Sequence, residues 1–203
     1  QWYRWVEQGI EQALTSRWSK NFFLVPLQVF NDSQIVVHSE WESVAHFIEA
    51  TLHSFAAHAP ADTLLVFKHH PMDRGYVSYQ SQINRLVTLL GLEGRVFYGY
   101  ELPLPTLYPL LKGVITINST VGLSALLHHV PTFCMGRALY DLPGLTTRGS
   151  LEGFWHKQDP VCKKTFERMR QSLLHLTQLN ASFYRHLDMG AMAVVEKIQQ
   201  HNV

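Results

Sequence analysis

The 203-residue chain is 46% hydrophobic and 16% charged, which excludes a disordered polypeptide and leaves room for one large domain or two small ones. With 17 basic and 16 acidic side chains the formal charge is +1, so neither nucleic acid nor an anionic membrane surface is indicated, although twelve histidines make the chain more cationic below about pH 6.5. Cys134 and Cys162 lack metal-ligand spacing and suit a reducing compartment, no apolar run reaches the ~20 residues of a membrane span, and no signal peptide is visible.

In chain order, residues 1–20 read as a helix with a stripe of Trp2, Trp5 and Ile10. The first residue is Gln, and 1–5 has the character of mid-helix, so a piece of a longer protein is expected, with an N-terminal part outside it. Residues 22–30 form a strand in which Pro26 removes a ladder donor, predicting an edge strand or a strand end. It finishes in polar Asn31-Asp32-Ser33-Gln34. Ser39 and Glu42 have capping-box spacing, and the helix behind them carries Val44, Phe47, Ile48, Leu52 and Phe55 on one face. His46, His53 and His58 lie off that face and read as surface positions.

Residues 63–67 make an apolar strand, followed by a helix with Ile83, Leu86, Val87 and Leu90 that Gly91 ends. A short strand at 95–99, a short helix at 103–111, a β-branched strand at 113–117, a helix after Ser119 and a last strand at 131–135 complete the alternation. The long loop 136–149 is of a kind that tends to carry function. Phe154-Trp155-His156 is an aromatic patch expected to pack. Phe166, Met169, Leu173 and Leu176 mark one further helical face, and Phe183, Leu187, Val194 and Ile198 another. The order predicts an α/β fold, a parallel Rossmann-like sheet with helices on both faces. The expected divisions are a helix at 1–21 left from a preceding region, the lobe at 22–160, and helices at 161–203 packing on it.

Ligands of such sheets bind beyond the carboxyl ends of the strands, and three exits carry chemistry. After 63–67 come Lys68-His69-His70-Pro71-Met72-Asp73-Arg74-Gly75. This cationic cluster suits an anion, most simply a phosphate, or is a solvated turn. After 113–117, Asn118-Ser119-Thr120 opens a helix whose first amides either bind an anion or are simply capped by Ser119. After 22–30, Asp32 is either a site carboxylate or an Asx-type turn cap. Because these exits share one sheet edge, Asp32, His70 and Ser119 can line one cleft.

Four blocks, in order, resemble the capsule polysaccharide biosynthesis proteins of the KpsS/LipB type. They are Pro26-Leu27-Gln28-Val29-Phe30-Asn31-Asp32-Ser33-Gln34, the run Lys68 to Gly75, Asn118-Ser119-Thr120-Val121-Gly122-Leu123-Ser124-Ala125-Leu126, and Tyr140-Asp141-Leu142-Pro143-Gly144-Leu145-Thr146 with Phe154-Trp155. They are also similar to the second half of the related KpsC/LipA proteins. The likeness runs over roughly residues 22 to 185, with Ala181 standing where Gly is expected. It implies a glycosyltransferase that uses CMP-Kdo, and a two-lobed GT-B fold of which this chain holds the C-terminal, nucleotide-binding lobe. The acceptor-binding lobe would lie outside it, and the chain alone would be inactive.

The same resemblance implies roles. His70 would act as donor or acid to the leaving phosphate, with Pro71 stiffening its turn. Asn118, Ser119 and Thr120 would bind that phosphate, and Lys68 and Arg74 would supply positive field or pair with Asp73. Asp32 would act at the anomeric carbon, as nucleophile of a retaining transfer or as base. Gln28 would support it by hydrogen bonding or is a plain strand-end residue, and Glu101 would contact ribose or cytosine. No Asp-x-Asp motif is present, so no metal is expected, and no cofactor beyond the donor substrate. The implied partners are the CMP-sugar, a glycolipid acceptor (lyso-phosphatidylglycerol or a Kdo linker) and a capsule biosynthesis or export complex, with no nucleic acid. The implied location is cytoplasmic and peripheral at the inner membrane. Two rival readings keep the fold: a non-catalytic nucleotide- or partner-binding domain of a capsule assembly complex, and a GT-B enzyme for a different sugar nucleotide, such as a UDP-sugar.

Overall fold

Five short runs rich in Val, Ile, Leu and Phe become the strands β1 (Phe22–Pro26), β2 (Leu64–Lys68), β3 (Val96–Gly99), β4 (Gly113–Thr116) and β5 (Thr132–Cys134). The computed structural model in which they are seen describes residues 2–177 and, beyond them, 191, 192, 194, 195, 198 and 199. All four pairings are parallel, in the order β3-β2-β1-β4-β5. Continuous apolar runs suit such strands because both faces of a parallel sheet are covered. Alternation sends Phe23, Val25, Leu65, Phe67 and Ile115 into one core, and Phe22, Leu24, Leu64, Val66 and Val114 into the other.

The connecting helices are α1 (Trp2–Thr15), α2 (Ser33–His38), α3 (Val44–His58), α4 (Gln80–Leu89), α5 (Leu104–Leu107), α6 (Thr120–Leu127) and α7 (Leu151–His156). Val44, Phe47, Ile48, Leu52 and Phe55 of α3 are buried in the first core, as their spacing predicts, with Ile83 and Leu86 of α4. Leu14 of α1, Leu107 of α5 and Ala125 of α6 fill the second. His46, His53 and His58 are exposed. Trp155 of α7 is completely buried, edge-on to Phe23 and Phe55 at 5.0 and 5.2 Å, and its indole N–H donates to Ser54 Oγ at 2.9 Å. With its polar atom satisfied and its area buried, truncating it to Ala would cost about 3–5 kcal/mol. Gly113 opens β4 because a Cβ there would come within 2.7 Å of Phe154 Cζ.

Several expectations change. Pro26 ends a strand but not at an edge: β1 is the central strand, and the N–H after the proline, Leu27, resumes the ladder by donating to the Lys68 carbonyl at 2.9 Å. The strand is shorter than the expected 22–30, ending at Pro26, and Ser33–His38 beyond it is helical. The capping box at Ser39 does not form. Ser39 Oγ instead donates to the Ile35 carbonyl at 2.6 Å at the end of α2, and Ser43 caps α3 by accepting the His46 N–H at 3.1 Å.

Residues 1–162 are one compact unit and 163–203 a second. In the second, α8 (Lys163–Thr177) carries buried Phe166 and Met169, whereas Leu176 is exposed, against the expected face. Val194 and Ile198 are also exposed. Phe183, Leu187 and Ala181 lie outside the described residues, as do the side chains of Trp2 and Trp5. Among the described residues no helix is long and apolar enough to cross a membrane.

Candidate functional site

From β1 the chain winds outward through β2 to β3, then crosses back to place β4 on the other side of β1. The loops leaving β1 and β4 therefore part in opposite directions, and a crevice opens between them at the carboxyl edge. Gln28 spans it. Its Nε2 donates to Asp32 Oδ2 at 3.0 Å and to Asn118 Oδ1 at 2.9 Å, and its Oε1 accepts the Asn118 N–H at 3.2 Å. Both amide hydrogens are used, which fixes the orientation of the side chain. Asn118 Nδ2 in turn donates to the Gln34 carbonyl at 3.0 Å.

Asp32 is the N-cap of α2, its Oδ1 accepting the Gln34 N–H at 2.9 Å. The cap and the Gln28 bond use different oxygens, so the carboxylate is held in one orientation at the mouth of the crevice.

The exit of β2 divides its two histidines. His70 begins a single 3₁₀ turn, Pro71–Asp73, with Pro71 at the first position where its missing N–H costs nothing. His70 Nδ1 accepts the Met72 N–H at 3.2 Å. The neutral ring must then carry its proton on Nε2, as a donor. His69 is 1% exposed; its Nδ1 bonds the Tyr98 hydroxyl at 2.5 Å and its ring packs against Tyr98 and Tyr100. Burial, reinforced by Arg74, Lys68 and His70, pushes its pKa down to about 4, so it is neutral near pH 7.

Asp73 is turned inward and fully buried, accepting the Phe30 N–H at 3.1 and 3.3 Å on its two oxygens. That bond pins the β2 loop to the β1 loop. Burial raises the Asp73 pKa, against the Phe30 N–H and His70. Of the two alternatives for Lys68 and Arg74, pairing with Asp73 is not seen among the described residues. Arg74 Nη1 meets Glu101 Oε1 at 2.5 Å instead, and Nη2 donates to the Tyr100 carbonyl at 3.1 Å. Lys68 is half-buried, its pKa lowered by burial and by Arg74 against the pull of Glu101 and Glu7. Glu7 of α1 was not among the expected site residues. Its buried carboxylate accepts the Tyr100 and Glu101 N–H groups at 2.5 and 2.8 Å and holds the β3 exit in place.

At the β4 exit Ser119 caps α6, its Oγ accepting the Val121 N–H at 3.2 Å while its own N–H donates to Thr116 Oγ1 at 3.1 Å. Its carbonyl accepts the Tyr140 hydroxyl at 2.5 Å. Tyr140, buried and quoted from the sequence without a role of its own, thus ties the loop after β5 to the turn, and burial raises its pKa strongly. Gly122 lies against that ring: a Cβ there would collide with the hydroxyl and come within 2.8 Å of Cζ. Thr120 is exposed at the rim.

The parallel sheet therefore carries Asp32, His70 and Ser119 to one edge, and Gln28 and Asp73 lace their loops together. Lys68, Arg74 and Glu101 form a charged group on the β2–β3 side, and Asn118 and Thr120 line a cleft of about 380 Å³ on the β4 side. Among the described residues no three His, Cys, Asp or Glu side chains are placed to share a metal ion.

The model of the capsule polysaccharide biosynthesis protein family matches residues 2–184. The chain belongs to that family. It is 48% identical over 164 residues to the capsule polysaccharide modification protein LipB of Neisseria meningitidis, a match covering 80% of this chain and 39% of that protein. It is 42% identical over 184 residues to the capsule polysaccharide export protein KpsS of Escherichia coli, covering 91% and 47%. The chain thus spans less than half the length of these curated relatives. Among solved structures, KpsC of Thermosulfurimonas dismutans, a beta Kdo 2,7 transferase, aligns over 74% of this chain and 50% of its own with a TM-score of 0.47 and 21% identity.

Proposed function

We propose that this capsule polysaccharide biosynthesis chain is the donor-binding lobe of a GT-B glycosyltransferase that moves Kdo from CMP-Kdo to a glycolipid acceptor, with retention. The observation that carries the reading is the laced edge: a carboxylate, a half-buried imidazole whose Nδ1 is taken by the Met72 N–H, and a capped helix start, held on three neighbouring loops by Gln28 and Asp73. The names of LipB and KpsS support the capsule part of it, and the Kdo part rests on the resemblance of the four sequence blocks.

In this reading the CMP phosphate sits between His70 and the Ser119–Thr120 turn. As the bond from the anomeric carbon to the phosphate oxygen breaks, the electron pair goes to that oxygen. His70 Nε2–H, the Thr120 N–H and the hydroxyls of Ser119 and Thr120 stabilise the growing charge in fixed positions, the Ser119, Val121 and Gly122 N–H groups being taken within the turn. Asp32 attacks the anomeric carbon from the opposite face, and the acceptor hydroxyl then attacks that carbon, displaces the Asp32 carboxylate and passes its proton to the departed CMP phosphate. Gln28 keeps the carboxylate aimed. Glu101 and Arg74 flank the nucleoside. A lipid-linked acceptor would bring the full protein to the inner face of the membrane.

One observation favours a second reading. Both oxygens of Asp32 are engaged within the fold, as a cap and with Gln28, which suits a purely structural acid in a non-catalytic nucleotide-binding domain of an export complex. Turnover of CMP-Kdo by the full-length protein separates the two. His70→Ala and Asp32→Asn should each lower kcat by about 10²–10⁴-fold with the circular dichroism spectrum unchanged. Normal turnover by His70→Ala would remove the imidazole from the mechanism. An Asp32→Asn variant that only weakens CMP binding would favour the second reading.

A further inference from the structure

The cleft on the β4 side is walled by Gln34 and His38 of α2, Asn118 and Thr120 around the start of α6, and Arg137 and Tyr140 of the loop after β5. Among its described lining residues two, Arg137 and His38, can carry positive charge and none is a carboxylate. Arg137 is built in. Its backbone N–H donates to the His38 carbonyl at 2.7 Å and its Nη2 to the Val37 carbonyl at 2.9 Å. Closing the end of α2 accounts for those two bonds. Nε and Nη1 of the same planar group have no partner among the described residues. A guanidinium held at one corner with its other donors at a cleft is suited to a carboxylate, which it meets through two parallel hydrogen bonds.

Kdo is an acidic sugar whose carboxylate is bonded to the anomeric carbon, the same carbon that carries the phosphate ester. Whatever receives the carboxylate must adjoin whatever receives the phosphate. Thr120 and Asn118 belong to both: they stand at the helix-start turn and they line this cleft. Asn118 is committed to Gln28 and Gln34, and Tyr140 to Ser119, while Gln34, His38 and Thr120 keep side-chain polar atoms of their own at the wall. Of the two lining residues able to carry charge, Arg137 alone offers the planar pair of N–H donors that a carboxylate takes bidentately.

We propose that the cleft is the subsite for the donor sugar's carboxylate, with Arg137 as the residue that selects a 2-ulosonic acid over a neutral sugar. The assignment rests on the CMP-Kdo reading above. Calorimetric titration of this chain with CMP and with CMP-Kdo tests it. The unaltered chain should bind CMP-Kdo more tightly than CMP. Arg137→Gln should weaken CMP-Kdo about tenfold or more and CMP by less than about twofold. Arg137→Lys, which keeps the charge and loses the fork, should fall between, and it carries the test if Arg137→Gln does not fold. Equal weakening of both ligands would mark the cleft as a nucleoside or phosphate site, and no change in either would leave Arg137 as a helix closure. Both outcomes overturn the carboxylate assignment and leave nucleotide binding standing. If the unaltered chain binds neither ligand at millimolar concentration, the donor-lobe reading falls as well.

Discussion

Gln28 and Asn118 hold each other in both directions across the crevice, side chain to side chain at 2.9 Å and backbone N–H to side chain at 3.2 Å, although 90 residues separate them. Gln28→Ala removes both bonds and the one to Asp32. It leaves the partly buried Asn118 N–H without its acceptor, so a stability loss of about 1–3 kcal/mol is expected, together with weaker donor binding. Urea unfolding and calorimetry of the same variant check this. Unchanged stability and affinity would mean that the bridge holds nothing that matters.

His69 predicts an acid-side loss of stability. Its folded pKa of about 4 lies below the ordinary 6.5, because burial, Arg74, Lys68 and His70 oppose protonation. The unfolded chain therefore takes up a proton that the folded chain refuses. The contribution is complete above about pH 6.5 and is lost as pH falls toward 4, on the order of 3 kcal/mol in all. His69→Gln cannot titrate, so the urea midpoint should fall less steeply over that window in the variant. Parallel curves would show that His69 is protonated in the fold.

Asp73 has the opposite sign. Its folded pKa is raised, chiefly by burial, so its contribution is present below about pH 3.8 and is lost as pH rises through the folded value. Asp73→Ala strips the acceptor from the Phe30 N–H and should cost about 1–3 kcal/mol. Asp73→Asn keeps an acceptor and drops the buried charge. It should lose less than the Ala variant, and its stability relative to the unaltered chain should improve as pH rises from 4 to 7. A relative stability that worsens over that range would count against the assigned direction.

Gly122→Ala should be disruptive out of proportion to one methyl group, because the new Cβ displaces the Tyr140 hydroxyl from the Ser119 carbonyl. A cost of about 1–3 kcal/mol is expected. Tyr140→Phe removes the atom in closest conflict, so the double variant should be more stable than the sum of the two single losses. Simple additivity in thermal or urea unfolding would place the strain elsewhere.

The sheet was readable because each strand is a short apolar run between polar exits, and a parallel sheet needs no alternation to be recognised. The amphipathic face of α3 was equally plain. Residues 33–38 were not, since six residues containing Val36 and Val37 hold too little periodicity to declare a helix. Ser39 with Glu42 matched a local template, but the template cannot see that the Ile35 carbonyl claims the hydroxyl first. The same limit hid the supports of the site. Glu7 finds its partners 93 and 94 residues away, Asp73 reaches back 43, and Tyr140 reaches back 21. Residues whose chemistry faces outward at a strand exit were legible from position, whereas those that hold them there became visible only once the chain was folded.

Glu7 bears on how this protein can be handled. A shortened recombinant version that opens at Phe22 would look natural on paper, yet it would discard the acid that accepts two backbone N–H groups beside Arg74 and would bare the flank of the second core that Leu14 covers. A loss of stability in such a trimmed sample would reflect a sagging corner of the β3 side and not the chemistry of the residues proposed to meet the ligand. The leading helix belongs in any sample used to judge what this chain can bind.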